Sequence, residues 1–256
     1  LTAVVSVADD GGATGRLRDA YGFLPLGDAR QALIALAENG DSSLIRKLFE
    51  YRFQKGDIAG HNFGNLFLTA LTDMLGSDAA AIEAASKILR ITGKVIPVSD
   101  TPETLVAHLE DGTTIVGEHE IDTPVPGRAH IVSLETKEPV EVSKDACTAI
   151  TAADLIVLGP GDLYASTLAN FTVSGLKECV QKSKAKLVYI LNLFTKAGQT
   201  QGYGAAKYVA EITRYAGRTP DVILVSTSLF PKDALARYAA EGEFPVADDL
   251  GDDASV

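Results

Sequence analysis

Leu155-Ile-Val-Leu-Gly-Pro-Gly-Asp-Leu-Tyr-Ala-Ser166 sets four consecutive apolar residues directly before a Gly-Pro-Gly turn. An unbroken short apolar run marks a strand buried on both faces, whereas a strand with one wet face alternates. The arrangement returns twice downstream. Leu187-Val-Tyr-Ile-Leu191 runs into the polar turn Asn192–Tyr203, and Val222-Ile-Leu-Val225 follows a helical stripe through Tyr208, Val209, Ile212, Tyr215 and Ala216. Further helices are read from Ser143 to Ala153 and near Val173 to Ser183. This alternation predicts parallel β/α units with helices on both faces of the sheet.

Outward from there, Ala3-Val-Val-Ser-Val-Ala8 reads as one more strand, and residues 27–92 read as mainly helical. Phe63, Leu66, Phe67, Ala70, Leu71 and Met74 form the stripe of a half-buried helix with Asn62 as its N-cap. Asp28 with Gln31 resembles a capping box opening an earlier helix. Residues 93–142 turn to Thr, Val and Ile, with Asp111-Gly112 as a hairpin turn. The fold class is therefore α/β: a single domain over 1–256 with a Rossmann-like, doubly wound, mainly parallel sheet, a helical segment, a β-rich excursion and β/α units over 143–228. The tail after Gly242, with Asp248, Asp249, Asp252 and Asp253, reads as a solvated terminus.

The 34 acidic against 23 basic residues give a net charge of −11, which disfavours nucleic acid and anionic membranes as partners. No apolar run reaches the ~20 residues of a membrane span, and no signal peptide opens the chain, so a cytoplasmic place is expected. Cys147 and Cys179 have no further metal-type ligand at useful spacing; free buried thiols are the expected state, with a disulfide between them left open. The chain starts at Leu1 in a strand, so a piece upstream is expected to be missing.

Ligands of open α/β sheets bind beyond the carboxyl ends of the strands. Three such ends carry glycine-rich turns: Asp9–Gly15, Gly159–Ser166 and Asn192–Tyr203. Glycines such as Gly11, Gly12, Gly15, Gly159 and Gly161 let backbone N–H groups approach a phosphate, and a following helix N-terminus adds its dipole. Asp9 and Asp10 would hold Mg²⁺ with a diphosphate completing the shell, and Arg16 would balance the remaining charge. The plainer alternative has Asp9 or Asp10 capping a helix near Thr14, with Arg16 and Arg18 paired to Asp19 or to glutamates. His61-Asn-Phe-Gly-Asn65 brings a titratable ring and the Asn62 and Asn65 amides, with Gly64 between them, to a helix start, or is merely a capped turn.

Val7-Ala-Asp-Asp-Gly-Gly-x-x-Gly-Arg-Leu-Arg18, Leu24-Pro-Leu-Gly-Asp-Ala-Arg30, Gly60-His-Asn-Phe-Gly-Asn65, Leu158-Gly-Pro-Gly-Asp-Leu-Tyr-x-Ser166 and Asn192-Leu-x-Thr-x-x-Gly-x-Thr-x-Gly-Tyr203 together resemble the YvcK/CofD-like family. The family has two branches. One holds 2-phospho-L-lactate transferases that work with Mg²⁺ on a guanosine diphosphate adduct; the other holds cytosolic gluconeogenesis factors that bind UDP-sugars. The Asn192–Tyr203 turn resembles the second. That resemblance implies a nucleotide-sugar-binding protein regulating carbon metabolism and cell shape, with a homodimer as the expected assembly. A Mg²⁺-dependent transferase is the alternative, with Asp9, Asp10 or His61 as catalytic candidates. It also implies that a strand and glycine turn normally precede Leu1. Gly11, Gly12, Gly15, Arg16, Asn62, Gly64, Asn65, Gly159, Gly161, Asp162, Ser166, Asn192, Thr195, Thr200 and Tyr203 are then expected to line the nucleotide site. A nicotinamide oxidoreductase is disfavoured, because no Gly-x-Gly-x-x-Gly with an acid ~20 residues on is present.

Overall fold

Thr2–Val5 (β1) pairs in parallel with Lys94–Pro97 (β2), Thr2 opposite Lys94 and Val5 opposite Pro97. A parallel pair needs a long crossover. Here it carries Gly12–Tyr21 (α1), Gly27–Leu36 (α2), Leu44–Glu50 (α3), Phe63–Leu75 (α4) and Asp78–Leu89 (α5). A computed structural model describes residues 1–38 and 44–251; it divides into one compact unit of 1–104 with 140–146 and a second of 105–139 with 147 onward. Asp252 and Asp253 lie outside the described residues.

In the first unit, Leu33, Phe49, Leu68 and Ile82 are fully buried and knit α2 to α5. Asn62 caps α4, its side chain accepting from the Asn65 N–H at 3.3 Å. The buried face of α4 is not the apolar stripe. Gly64, Asn65, Leu68, Thr69 and Thr72 are buried, while Met74 is 77% exposed and Leu75 48% exposed. Polar residues turn inward because their hydrogen bonds are met there, as described below for Asn65. The capping-box reading of Asp28 also fails: α2 begins one residue earlier, after Leu26, and has no side-chain cap.

In the second unit, Leu105–Leu109 (β3) is the centre of an antiparallel ladder between Thr114–Val116 (β4) and Ile131–Thr136 (β5). Asp111 closes the β3–β4 turn, its Oδ1 accepting from the Thr113 N–H and hydroxyl. Glu118–Asp122 (α6) lies between β4 and β5, and the chain passes between units within Lys144–Thr151 (α7).

Leu155–Leu158 (β6), Lys186–Ile190 (β7) and Val222–Leu224 (β8) follow as a parallel ladder in that order, as the apolar runs predict. Leu176–Lys182 (α8) and Ala205–Ala216 (α9) make the crossovers, and Lys232–Ala240 (α10) follows. The strands are not covered evenly. Leu187 and Tyr189 are buried, but Leu155, Val157 and Leu224 are about half exposed. Alternate residues of a strand point to opposite faces, so one face is partly open.

Two expectations are corrected. Cys147 of α7 and Cys179 of α8 are joined as a disulfide, because the two helices bring their Cα atoms to 5.4 Å, within bonding reach. The tail is also not simply solvated: Pro245 bridges to Phe194 and Ala247 to Gly204, and Asp249 accepts from the Ala206 N–H at 2.7 Å.

Candidate functional site

In the first unit the chain leaves β1 through buried Ser6, Val7 and Ala8 and turns at Asp9. Asp9 Oδ1 accepts from the Gly11 N–H at 3.0 Å, which shapes the turn without capping a helix. The cap of α1 is Gly11, which offers no side-chain bond. Gly12 opens that helix, and Gly15 donates its N–H to Gly11 O at 2.9 Å.

Close approach then draws in α2. A Cβ at Gly27 would lie 2.5 Å from Asp9 Oδ2 and 3.5 Å from Thr14 Oγ1, so glycine lets the start of α2 rest against the Asp9 side chain without displacing it. Asp28 consequently lies beside Asp9. Burial first, and the Asp9 charge second, push the Asp28 carboxyl up to about 6, with Arg30 opposing them.

Arg30 crosses to α4, where its Nε donates to Asn65 Oδ1 at 2.9 Å, and Asn65 Nδ2 donates to Thr14 Oγ1 at 3.1 Å. Arg30 can lie there because residue 64 is glycine; a Cβ would stand 2.8 Å from both Arg30 Cδ and Phe49 O. His61 Nε2 faces Arg16 Nη2 at 3.5 Å, and burial with the Arg16 charge holds its imidazole below the usual histidine range. Arg18 pairs with Asp19 at 3.0 Å, as the plainer alternative expects. Asp9, Gly11, Arg16, Asn62, Gly64 and Asn65 are thus gathered in one polar cluster. Sequence reasoning missed Gly27, Asp28 and Arg30 as members of it, although the Leu24–Arg30 segment carries all three.

In the second unit, the turns after β6 and β7 meet. Asn192 Nδ2 donates to Gly161 O at 2.7 Å, and Asn192 Oδ1 accepts from the Tyr189 hydroxyl at 3.3 Å. Gly159 sits against the end of β7, and Ser166 is exposed in the π-helical segment Leu163–Leu168 that follows Asp162. Lys196 Nζ lies 3.2 Å from Asp162 Oδ2 and 3.4 Å from Asp122 Oδ1. Burial first, then the hydrogen bond with Asp122, pushes Asp162 up to about 6. Burial raises Asp122 as well, but the hydrogen bond with Asp162 and the Lys196 charge outweigh it and hold it low.

Thr195, Thr200 and Tyr203 face inward. Thr195 Oγ1 accepts from the Phe244 N–H at 3.0 Å, Thr200 Oγ1 from Tyr208 and from the Lys196 N–H, each at 2.8 Å, and the Tyr203 hydroxyl meets that of Tyr164 at 3.2 Å. These three give the turn its shape. Lys196 and Asp122 went unnoticed in sequence because an ion pair across 74 residues leaves no local pattern.

Chemically, the first cluster offers carboxylates, guanidinium groups and amides at a strand end, the set that handles a phosphorylated ligand. No helix among the described residues is long and apolar enough to cross a membrane. The profile of the family described as 2-phospho-L-lactate transferase CofD matches residues 1–255. A Bacillus subtilis protein named gluconeogenesis factor is 39% identical over 98% of this chain and 78% of its own length. A Listeria monocytogenes protein of the same name is 42% identical over 92% of this chain and 72% of its own. A crystal structure of a Bacillus halodurans protein superposes with a TM-score of 0.91 at 38% identity, covering 97% of this chain and 79% of that one.

Proposed function

This chain belongs to the CofD/YvcK family, and from that premise we propose that it is a cytoplasmic nucleotide-binding protein of the gluconeogenesis-factor kind, taking a UDP-sugar type of ligand and regulating carbon metabolism and cell shape. The observation that carries the reading is the Arg30–Asn65–Thr14 chain of hydrogen bonds, which fixes three separate glycine-containing segments around Asp9. Residues this far apart in sequence are welded together where a phosphate would meet backbone N–H groups.

A divalent cation fits as a shared ligand. Among the described residues no group of three or more His, Cys, Asp or Glu is placed to hold a metal alone. Asp9 with Asp28 or Asp10 would supply one or two carboxylates, leaving the remaining positions to phosphate oxygens and water, which is how Mg²⁺ is usually taken. When bound, Mg²⁺ would neutralise the diphosphate. The chain's own part is to orient Asp9 through the Gly11 N–H and to hold Arg30 over α4.

Calorimetric titration with UDP-glucose, UDP-N-acetylglucosamine and GDP, each with and without Mg²⁺, tests the reading. Binding of a UDP-sugar without release of UDP or UMP supports it; no binding of any UDP compound overturns it. Asn65→Ala and Asn192→Ala, one in each unit, test the two sets of turns separately.

One observation favours a second reading. The Asp9 and Asp28 carboxyls lie near each other with Arg30 alongside, an arrangement suited to a metal-assisted transfer from a nucleoside diphosphate donor. Release of a nucleoside monophosphate or diphosphate on addition of an acceptor alcohol would favour this transferase.

A further inference from the structure

The segment between α3 and α4 folds back on itself: Phe53 N–H bonds His61 O, Gly60 N–H bonds Phe53 O, and Phe63 N–H bonds Tyr51 O, at 2.9, 2.9 and 2.8 Å. This hairpin-like loop carries Arg52 to the start of α4, where its Nη1 donates to Gly60 O at 2.6 Å. From the other side, Arg16 Nη2 stands 3.8 Å from where a Cβ of Gly60 would be and 3.5 Å from His61 Nε2. Two guanidinium groups and an imidazole therefore close on one glycine.

Among the described residues, the ion pairs of the first unit join Arg18 to Asp19, Arg46 to Glu50 and Lys87 to Glu83, and Arg16 and Arg52, both exposed, enter none of these. The carboxylates of Asp9, Asp28 and Glu50 act on Arg30, on which Arg52 weighs as a like charge. Burial and the Arg16 charge lower the His61 imidazole, and its Nδ1 is shielded from water without a hydrogen-bond partner. A chain carrying eleven more acids than bases has ample means to pair such cations. Arg16 and Arg52 stand where an incoming anion can reach them, and the shielded, unpartnered His61 Nδ1 between them calls for a reason.

We infer that Arg16, Arg52 and His61 form an anion subsite of the first unit that takes one phosphate or carboxylate group, with the two guanidinium groups as its clamp. Arg52 lies outside every glycine-rich segment that the sequence singles out. Arg16 and His61 border the cluster proposed for the nucleotide, so the subsite extends that reading, although it requires only an anion.

The test is the titration of His61 by proton–nitrogen NMR, assigned with His61→Gln, in chloride and in inorganic phosphate. A bound anion stabilises imidazolium, so saturating phosphate should raise the His61 value by about half a unit or more. His108, His119 and His130 should not move. Arg52→Gln, which can still donate to Gly60 O, and Arg16→Gln should each abolish the rise. An unchanged His61 titration overturns the inference, as does a rise that survives both substitutions. Repeating the titration with UDP-glucuronate and UDP-glucose separates the sources. A rise with the first alone assigns the anion to the distal group of a nucleotide. A rise with inorganic phosphate only makes this a free-anion site. Either result upholds the subsite, whereas failure of every UDP compound to bind overturns the nucleotide reading alone.

Discussion

Arg30 Nε donates to Asn65 Oδ1 at 2.9 Å, tying the fourth residue of α2 to the first turn of α4. Asn65 is 6% exposed and bonds Thr14 with its other side-chain atom. Replacing it by alanine strands both partners, so Asn65→Ala should lower unfolding stability by roughly 2 kcal/mol in urea denaturation. Asn65→Asp, which keeps the acceptor for Arg30, should lose less.

Gly64→Ala should be as damaging for a different reason. The new methyl would press on Arg30 and on the Phe49 carbonyl, and the latter belongs to a backbone that does not yield cheaply. An overpacking loss of about 1–3 kcal/mol is expected, together with weakened binding of any ligand that depends on Arg30. A variant with wild-type stability would show that α4 can slide.

Asp28 predicts a pH dependence with a definite sign. Its carboxyl is raised from 3.8 to about 6, so it contributes stability below the unfolded value and gives it up as pH climbs through about 6. Asp28→Asn should thus be more stable than the parent at pH 7.5, by about 3 kcal/mol at most, and the gap should close near pH 4. Melting temperatures across that range decide it. Bound Mg²⁺, if Asp28 helps hold it, would lower the apparent value and shrink the gap.

Lys196 pairs with both Asp122 and Asp162, which also bond each other. With Lys196→Met the two carboxyls face each other without a cation, and stability at neutral pH should fall by roughly 1–2 kcal/mol, recovering as the medium is acidified and the pair takes up a proton. A loss of equal size at every pH would mean that only the lysine's packing matters.

The Cys147–Cys179 link closes a span of 32 residues. Thiol titration in denaturant should find no free thiol before reduction and two after it. Cys147→Ser should lower stability by roughly 2–4 kcal/mol, the usual worth of such a closure.

Local rules were readable where local rules decide. Asn62 caps α4 and Asp111-Gly112 turns a hairpin because a side chain or a turn answers to its immediate neighbours. The three apolar runs became parallel strands, since four or five consecutive apolar residues have few other places to go. The reading failed where a distant residue arbitrates. The apolar stripe of α4 lost its place in the core to Asn65 because Arg30, thirty-five residues earlier, supplies the hydrogen bond that makes an amide welcome there. Asp28 was read as a cap because nothing in its neighbourhood announces the Asp9 carboxyl. Thr195, Thr200 and Tyr203 have partners in Phe244, Tyr208 and Tyr164, which no local pattern names.

The contacts between Thr195 and Phe244 have a practical corollary for anyone trimming this protein. A fragment ended after the last strand, near residue 228, would retain every glycine-rich bend yet lose the staple that the 244–249 segment fastens onto the bend after β7 and the head of α9. Such a shortened chain should keep its sheet while that bend frays, and amide exchange would register the loss at residues 194–206 first.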